Sequence, residues 1–127
     1  KNPIMDKFLR FYGNFPVKRG RADMSAVREA LKILKEDRVL GLFPEGSRSK
    51  DRTLKKAKLG AVVLAIKSKA PILPVGLNGT QNPFGSKIKV NVGEAFTLDK
   101  YYGHKLDKSE MREVGKIIMS KIEKLLI

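Results

Sequence analysis

Cysteine is absent from this 127-residue chain, histidine occurs once, and 13 acidic residues stand against 27 basic ones. Without cysteine there are no disulfides and no thiolate nucleophile or thiolate metal ligand, which fits a reducing compartment. A single histidine, His104, argues against a metal centre built from imidazoles. Long apolar runs are missing too. The longest, "GAVVLAI" (60–66), is seven residues, where a bilayer span needs about 20. No secretory signal is visible. The chain opens on "KNPIMDKFL", with no initiator methionine and already inside a helix-like pattern, so a piece of a longer protein is expected.

The shortage of acids leaves a formal charge of +14, spread from end to end. Such a field attracts polyanions (nucleic acid, anionic lipid, phosphorylated small molecules) without choosing among them. A lysine-rich soluble surface accounts for part of it. Apolar content is ordinary for a globular protein, and the length suits one domain with a real core.

Hydrophobic spacing divides the chain into alternating elements. Apolar residues at Ile4, Met5, Phe8, Leu9, Phe11 and Tyr12 predict an amphipathic helix ending at Gly13. "NFPVKRG" reads as an extended piece leading into a turn. A second helix is expected in "DMSAVREALKILKED", with Asp23 as N-cap and Val27, Ala30, Leu31 and Leu34 on its inner face. "RVLGLF" (38–43) has the form of a buried strand, and "AKLGAVVLAIKSKA" of a helix apolar nearly all round and therefore central. "PILPVGLN" (71–78) is a second buried strand. "KIKVNVG" alternates Ile88, Val90 and Val92 with polar residues, as a half-exposed strand does. A last helix starts near Asp107, which has capping-box spacing with Glu110, and carries the stripe Met111, Val114, Ile118, Ile122, Leu125. Strands alternating with helices predict an α/β fold: a mostly parallel sheet flanked by helices on both faces.

Within that frame, ligands bind beyond the carboxyl ends of strands. "FPEGSRSKDRTLKKAK" (43–58) occupies such a position after "VLGLF". Pro44 and Gly46 stop the strand, Glu45 can accept hydrogen bonds from hydroxyls, and Arg48 offers a planar fork to a phosphate. Lys55, Lys56 and Lys58 open the next helix, where cations oppose the helix dipole; an anion bound there would relieve the conflict. A solvated loop whose lysines point at water is the plain alternative. "FPVKRGRAD" adds Lys18, Arg19 and Arg21 in a second basic turn. Phe43, Phe84 and Phe96 read as core or packing residues.

Taken in order, "FPVKRG", "FPEGSRS" and "APILPVGLNGT" resemble the second, third and fourth sequence blocks of the glycerophospholipid acyltransferase superfamily. The match is nearest to its 1-acylglycerol-3-phosphate acyltransferase (PlsC-like) branch and runs from about Lys1 to Thr80. "FPEGSRS" departs from the usual F-P-E-G-T-R-S only in Ser47. The resemblance implies a glycerol-3-phosphate acyltransferase-like fold without its N-terminal part, residues 1–127 being the C-terminal portion of one acyltransferase domain. It also implies a reaction: an acyl group passes from acyl-CoA or acyl-carrier protein to lysophosphatidic acid, giving phosphatidic acid, at the cytoplasmic face of the membrane. By the same resemblance Arg19 and Arg48 hold the glycerol-phosphate head group, while Glu45, Gly46 and Ser47 shape the pocket and orient the acceptor. Glu45 would either receive a hydrogen bond from the polyol or fix an arginine. No metal or cofactor is implied.

The family's general base sits in an H-x-x-x-x-D block upstream of these motifs, and residues 1–127 contain no such pattern. His104 is followed by Asp107 and, where the pattern wants its acid, by Ser109. It reads as a surface-loop histidine, so no catalytic residue is assigned and the chain alone is expected to turn over poorly. An open sheet edge would invite self-association. Two rivals stand beside the enzyme: a non-catalytic module for anionic lipid or phosphate, and a nucleic-acid binder. The second lacks any aromatic-basic block, zinc signature or helix-turn-helix pattern, and no nucleic acid is expected as a partner.

Overall fold

The computed structural model describes residues 3–11, 13–15, 17, 23–47, 49, 53–80, 84, 85 and 87–126. Their order is α1 (Pro3–Phe11), α2 (Met24–Lys35), α3 (Leu59–Ser68), β1 (Val75–Asn78), β2 (Lys89–Val92), a 3-10 turn (Asp99–Tyr101) and α4 (Lys108–Glu123). Packing passes from one element to the next: β1 against α4, α4 against α3, and α3 against α2.

The helix ends follow the capping chemistry. At α1 the chain closes with Gly13 N–H on the Arg10 carbonyl (3.0 Å) and Asn14 N–H on the Leu9 carbonyl (3.1 Å), the paired bonds of a Schellman stop. Asp23 caps α2 by accepting from the Ser25 and Ala26 amides (3.1 and 3.2 Å). At α4 both arms of the capping box form: Asp107 accepts from the Glu110 amide at 2.8 Å, and Glu110 accepts from the Asp107 amide at 3.0 Å. His104 adds a 3.0 Å contact from Nε2 to Glu110 Oε1.

The core gathers where α3 meets α4. Val62, Leu98, Tyr101, Leu106, Val114 and Ile118 form one buried cluster, with Val114 fully enclosed. Of the stripe expected on α4, Val114 and Ile118 are buried and Met111, Ile122 and Leu125 half-buried; Met119 and Gly115 join them. On α2 the buried residues are Ala26, Ala30 and Ile33, with Val27, Leu31 and Leu34 only half-buried. The inner face is thus rotated by one position from the expected stripe. Its small alanines let α2 approach α3 closely.

Three strand expectations are not met among the described residues. The described sheet is one antiparallel pair, β1–β2, in the register Val75↔Val92 to Asn78↔Lys89; no described pair is parallel. Segment 38–43 forms no ladder with any described residue. Instead of being buried, Val39 is 95% and Phe43 75% exposed. A parallel pair needs a neighbouring strand reached by a crossover, and none of the described residues supplies one alongside 38–43. Phe84 is likewise fully exposed, whereas Phe96 is half-buried under the Lys121 ammonium. Finally, β2 alternates as expected but with its faces exchanged: Val90 and Val92 point outward and Asn91 inward. The cause is the end of α4. The Asn78 and Asn91 side-chain amides both donate to the Leu125 carbonyl, at 3.2 and 2.8 Å, and Gly76 lies so close to Leu125 that a Cβ would meet it at 2.7 Å. A terminal helical carbonyl must find donors, so the polar face turns toward it.

Two predictions follow from the α3–α4 seam and the α4 cap. A Cβ added at Gly115 would stand 3.5 Å from Ala57 Cβ and Val62 Cγ2, ordinary contact distance. Gly115→Ala should therefore stabilise the fold by about 0.5–1 kcal/mol through helix propensity, while Val114→Ala next to it costs roughly 2 kcal/mol; urea unfolding would read both signs. The Glu110 carboxyl is held below its ordinary range, first by the Asp107 amide and then by the His104 hydrogen bond. A depressed carboxyl stabilises above its unfolded pKa and loses that stabilisation as pH falls through the folded value. Urea midpoints of Glu110→Gln should accordingly fall less steeply than those of the parent between roughly pH 6 and pH 3.

Candidate functional site

Residues 43–47 make a tight turn at the foot of α3. The Gly46 amide donates to the Phe43 carbonyl at 3.1 Å, closing the turn, and Gly46 takes φ +68°, a conformation that costs a side-chain-bearing residue about 1–2 kcal/mol. Space points the same way: a Cβ there would lie 2.9 Å from Lys58 Cγ, the aliphatic stem that runs across the glycine. Lys58 also supplies the N-cap of α3, with no side-chain cap bond, and its own amide donates to the Pro44 carbonyl at 2.8 Å. The turn and the helix start are thereby joined through the main chain.

A second tie lies three residues earlier. Glu45 Oε2 accepts from the Lys55 amide at 2.7 Å, a bond spanning ten positions between a half-buried carboxylate and a half-buried main-chain donor. From the side chain of the same residue, Lys55 Nζ donates to Ser47 Oγ at 3.2 Å. The carboxylate thus has a structural task beyond the two expected of it: it holds the strand of chain that brings Lys55 back over the turn. Charge-assisted bonds of this kind are about twice as strong as neutral ones, and a half-buried amide left without its acceptor would cost about 1–3 kcal/mol.

Of the five residues singled out, the structure brings Glu45, Gly46 and Ser47 into one turn. Arg19 and Arg48 lie outside the described residues, as do Lys18 and Arg21. Lys56 and Lys58 are exposed beside the start of α3 and Lys55 is half-buried, so among the described residues of 45–58 three cations stand against one carboxylate. His104 is on the opposite end of the chain order, engaged with the α4 cap. What the residue pattern did not reveal is the Lys55–Glu45–Ser47 connection. Half of it is made by a main-chain amide, which any residue but proline would offer, so no residue type marks it.

A family model described as Acyltransferase matches residues 1–78. The chain is 32% identical over 111 residues to the chloroplastic 1-acyl-sn-glycerol-3-phosphate acyltransferase BAT2 of Brassica napus, covering 83% of this chain and 32% of that protein. It is 34% identical over 99 residues to the 1-acyl-sn-glycerol-3-phosphate acyltransferase of Bacillus subtilis, covering 74% and 48%. The enzyme of that name from Borreliella burgdorferi is 37% identical over 73 residues, 58% and 29% of the two chains. The chain therefore spans less than half the length of these relatives. No solved structure matches it.

The turn geometry predicts a ranking of substitutions. Gly46→Ala should destabilise by about 1–2 kcal/mol from its backbone conformation, the flexible Lys58 stem yielding at little cost. Gly46→Asn, better suited to positive φ, should lose less. Urea unfolding of both variants tests this, and equal losses would mean that the contact with Lys58, not φ, sets the cost.

Proposed function

The chain belongs to the acyltransferase family, and from that premise we propose that it is the acceptor-holding, C-terminal portion of a 1-acylglycerol-3-phosphate acyltransferase domain. In the proposed reaction the free hydroxyl of lysophosphatidic acid attacks the carbonyl carbon of an acyl thioester. A new ester forms, the C–S bond breaks, and the coenzyme A or carrier-protein thiol leaves with a proton while phosphatidic acid is released. The residues of this chain contribute positioning, the main lever when two substrates must meet. Arg19 and Arg48 are assigned to the head-group phosphate, and Glu45, Gly46 and Ser47 to the wall that orients the glycerol. No residue of 1–127 is assigned the role of the family's H-x-x-x-x-D base.

The observation that carries this reading is the turn at 43–47. Its carboxylate, its glycine and its hydroxyl are the motif residues: the carboxylate and the hydroxyl are bonded to Lys55, and the glycine amide closes the turn on the Phe43 carbonyl. A substrate-orienting wall requires such fixed groups. Two further elements belong to the same proposal. Segment 38–43, apolar and exposed, is assigned as a strand of a mostly parallel sheet flanked by helices, its open edge available for association. Work at the cytoplasmic membrane face as a peripheral protein suits a +14 chain in which no described helix is long and apolar enough to cross a membrane.

Binding of glycerol 3-phosphate tests the assignment. Arg48→Ala should weaken it by roughly tenfold or more, as expected for loss of a charge-assisted pair. Arg112→Ala, on α4 outside the motif and exposed, should change it less than about twofold, since a solvated surface charge is largely screened. Calorimetric titration of both variants decides; equal losses would leave only a diffuse field of positive charge and no pocket.

A further inference from the structure

We propose that Lys55 is a phosphate-anchoring residue: its ammonium and the Ser47 hydroxyl form one subsite for the oxygens of a phosphomonoester. The inference rests on the acceptor-binding reading above, adds to it a residue outside the three sequence blocks, and turns the Ser47 hydroxyl of the glycerol wall toward the phosphate.

The root of the side chain is pinned first. Glu45 Oε2 holds the Lys55 amide at 2.7 Å, so Cα of Lys55 is fixed relative to the turn. Part of the entropy that ordering a lysine costs is then already met by the fold. The ammonium reaches back to Ser47 Oγ at 3.2 Å. That bond sets the direction of the hydroxyl. A hydroxyl has one hydrogen and two lone pairs; with one lone pair occupied by the ammonium, its hydrogen points away from Nζ. Two oxygens of one phosphate seated beside both groups can then receive an O–H from Ser47 and an N–H from Lys55, whose ammonium carries three hydrogens.

Charge selects the ligand class. Two convergent donors, one of them cationic, suit an anion, and a phosphomonoester carries about −1.5 to −2 at neutral pH. Lys56 and Lys58, exposed alongside, raise the local potential further. Glu45 opposes this by a single charge. Its bond to the Lys55 main chain spends that carboxylate on geometry and leaves cations in excess, three to one, across the described part of 45–58.

Lys55→Met isolates the ammonium, because it keeps the amide bonded to Glu45 and most of the aliphatic stem. Titration calorimetry of the 127-residue chain with glycerol 3-phosphate, and separately with inorganic phosphate, should show affinity for both falling by roughly tenfold in Lys55→Met, the size expected for one bond to a charged partner. Lys55→Arg should retain affinity within about threefold, since an arginine there keeps charge and donors, and the thermal midpoint of the unliganded protein should not move. Unchanged binding in Lys55→Met, while the parent chain binds, overturns the subsite and leaves the acyltransferase reading intact. A fall in binding matched by an equal fall in thermal midpoint, unrescued by arginine, overturns it as well, since Lys55 would then be structural. A parent chain that binds inorganic phosphate through Lys55 but not glycerol 3-phosphate supports the subsite and removes the head-group reading. Binding of neither removes both.

Discussion

A main-chain amide meeting a half-buried carboxylate organises the site: the Lys55 N–H on Glu45 Oε2, at 2.7 Å across ten positions. Together with the Lys58 amide on the Pro44 carbonyl, it fastens the 43–47 turn to the chain entering α3. The turn is only as well placed as that helix, and α3 is in turn fixed by Val62 in the buried cluster with Val114 and Ile118. A line of dependence therefore runs from Val114, fully enclosed, to the motif hydroxyl. It passes through apolar packing, then helix geometry, then two hydrogen bonds. The carboxylate at the mouth of so many cations is a clamp on backbone as well as a member of the motif.

Local chemistry was the legible part. The Asp107/Glu110 capping box, the Asp23 cap and the stop at Gly13 are decided by residues within a few positions of each other, and the sequence pattern locates them all. The α4 stripe was legible for the same reason. Expectations gave way where the deciding partner is remote. The faces of β2 are set by the Leu125 carbonyl, 34 positions from Asn91, which draws two asparagines inward against the ordinary preference of valines for the interior. The burial expected of 38–43 presumed a neighbouring strand that no described residue provides. Among the site residues, Gly46 could be read from its need for an unusual backbone angle. Glu45 could be read as an acceptor and Lys55 as one of three cations near an anion site, but their bond to each other could not, because a main-chain amide carries no side-chain signature.

The exposed apolar residues and the charge act on different scales. Val39, Phe43, Val90 and Val92 are short-range features whose burial requires contact. The +14 charge acts over about 8–10 Å at ordinary ionic strength. It disfavours the approach of two identical chains unless anions intervene, and it favours any surface carrying phosphate. The long-range charge and the local cations at 55–58 have the same sign, so the overall field and the proposed phosphate subsite would work together: the first concentrating anions near the molecule, the second selecting among them.

The bonds from Asn78 and Asn91 to the Leu125 carbonyl bear on how the molecule is made. Synthesis runs from the N-terminus, so both strands of the hairpin leave the ribosome before the helix end that gives their polar face its acceptor. A two-stranded hairpin alone is marginal in water, and contacts spanning 34 and 47 positions form late because the intervening loop must close first. During that interval the nascent sheet lacks the Leu125 carbonyl on one side and carries exposed valines on the other. Its risk of pairing with a neighbouring chain is greatest then, and falls once residue 125 is in place.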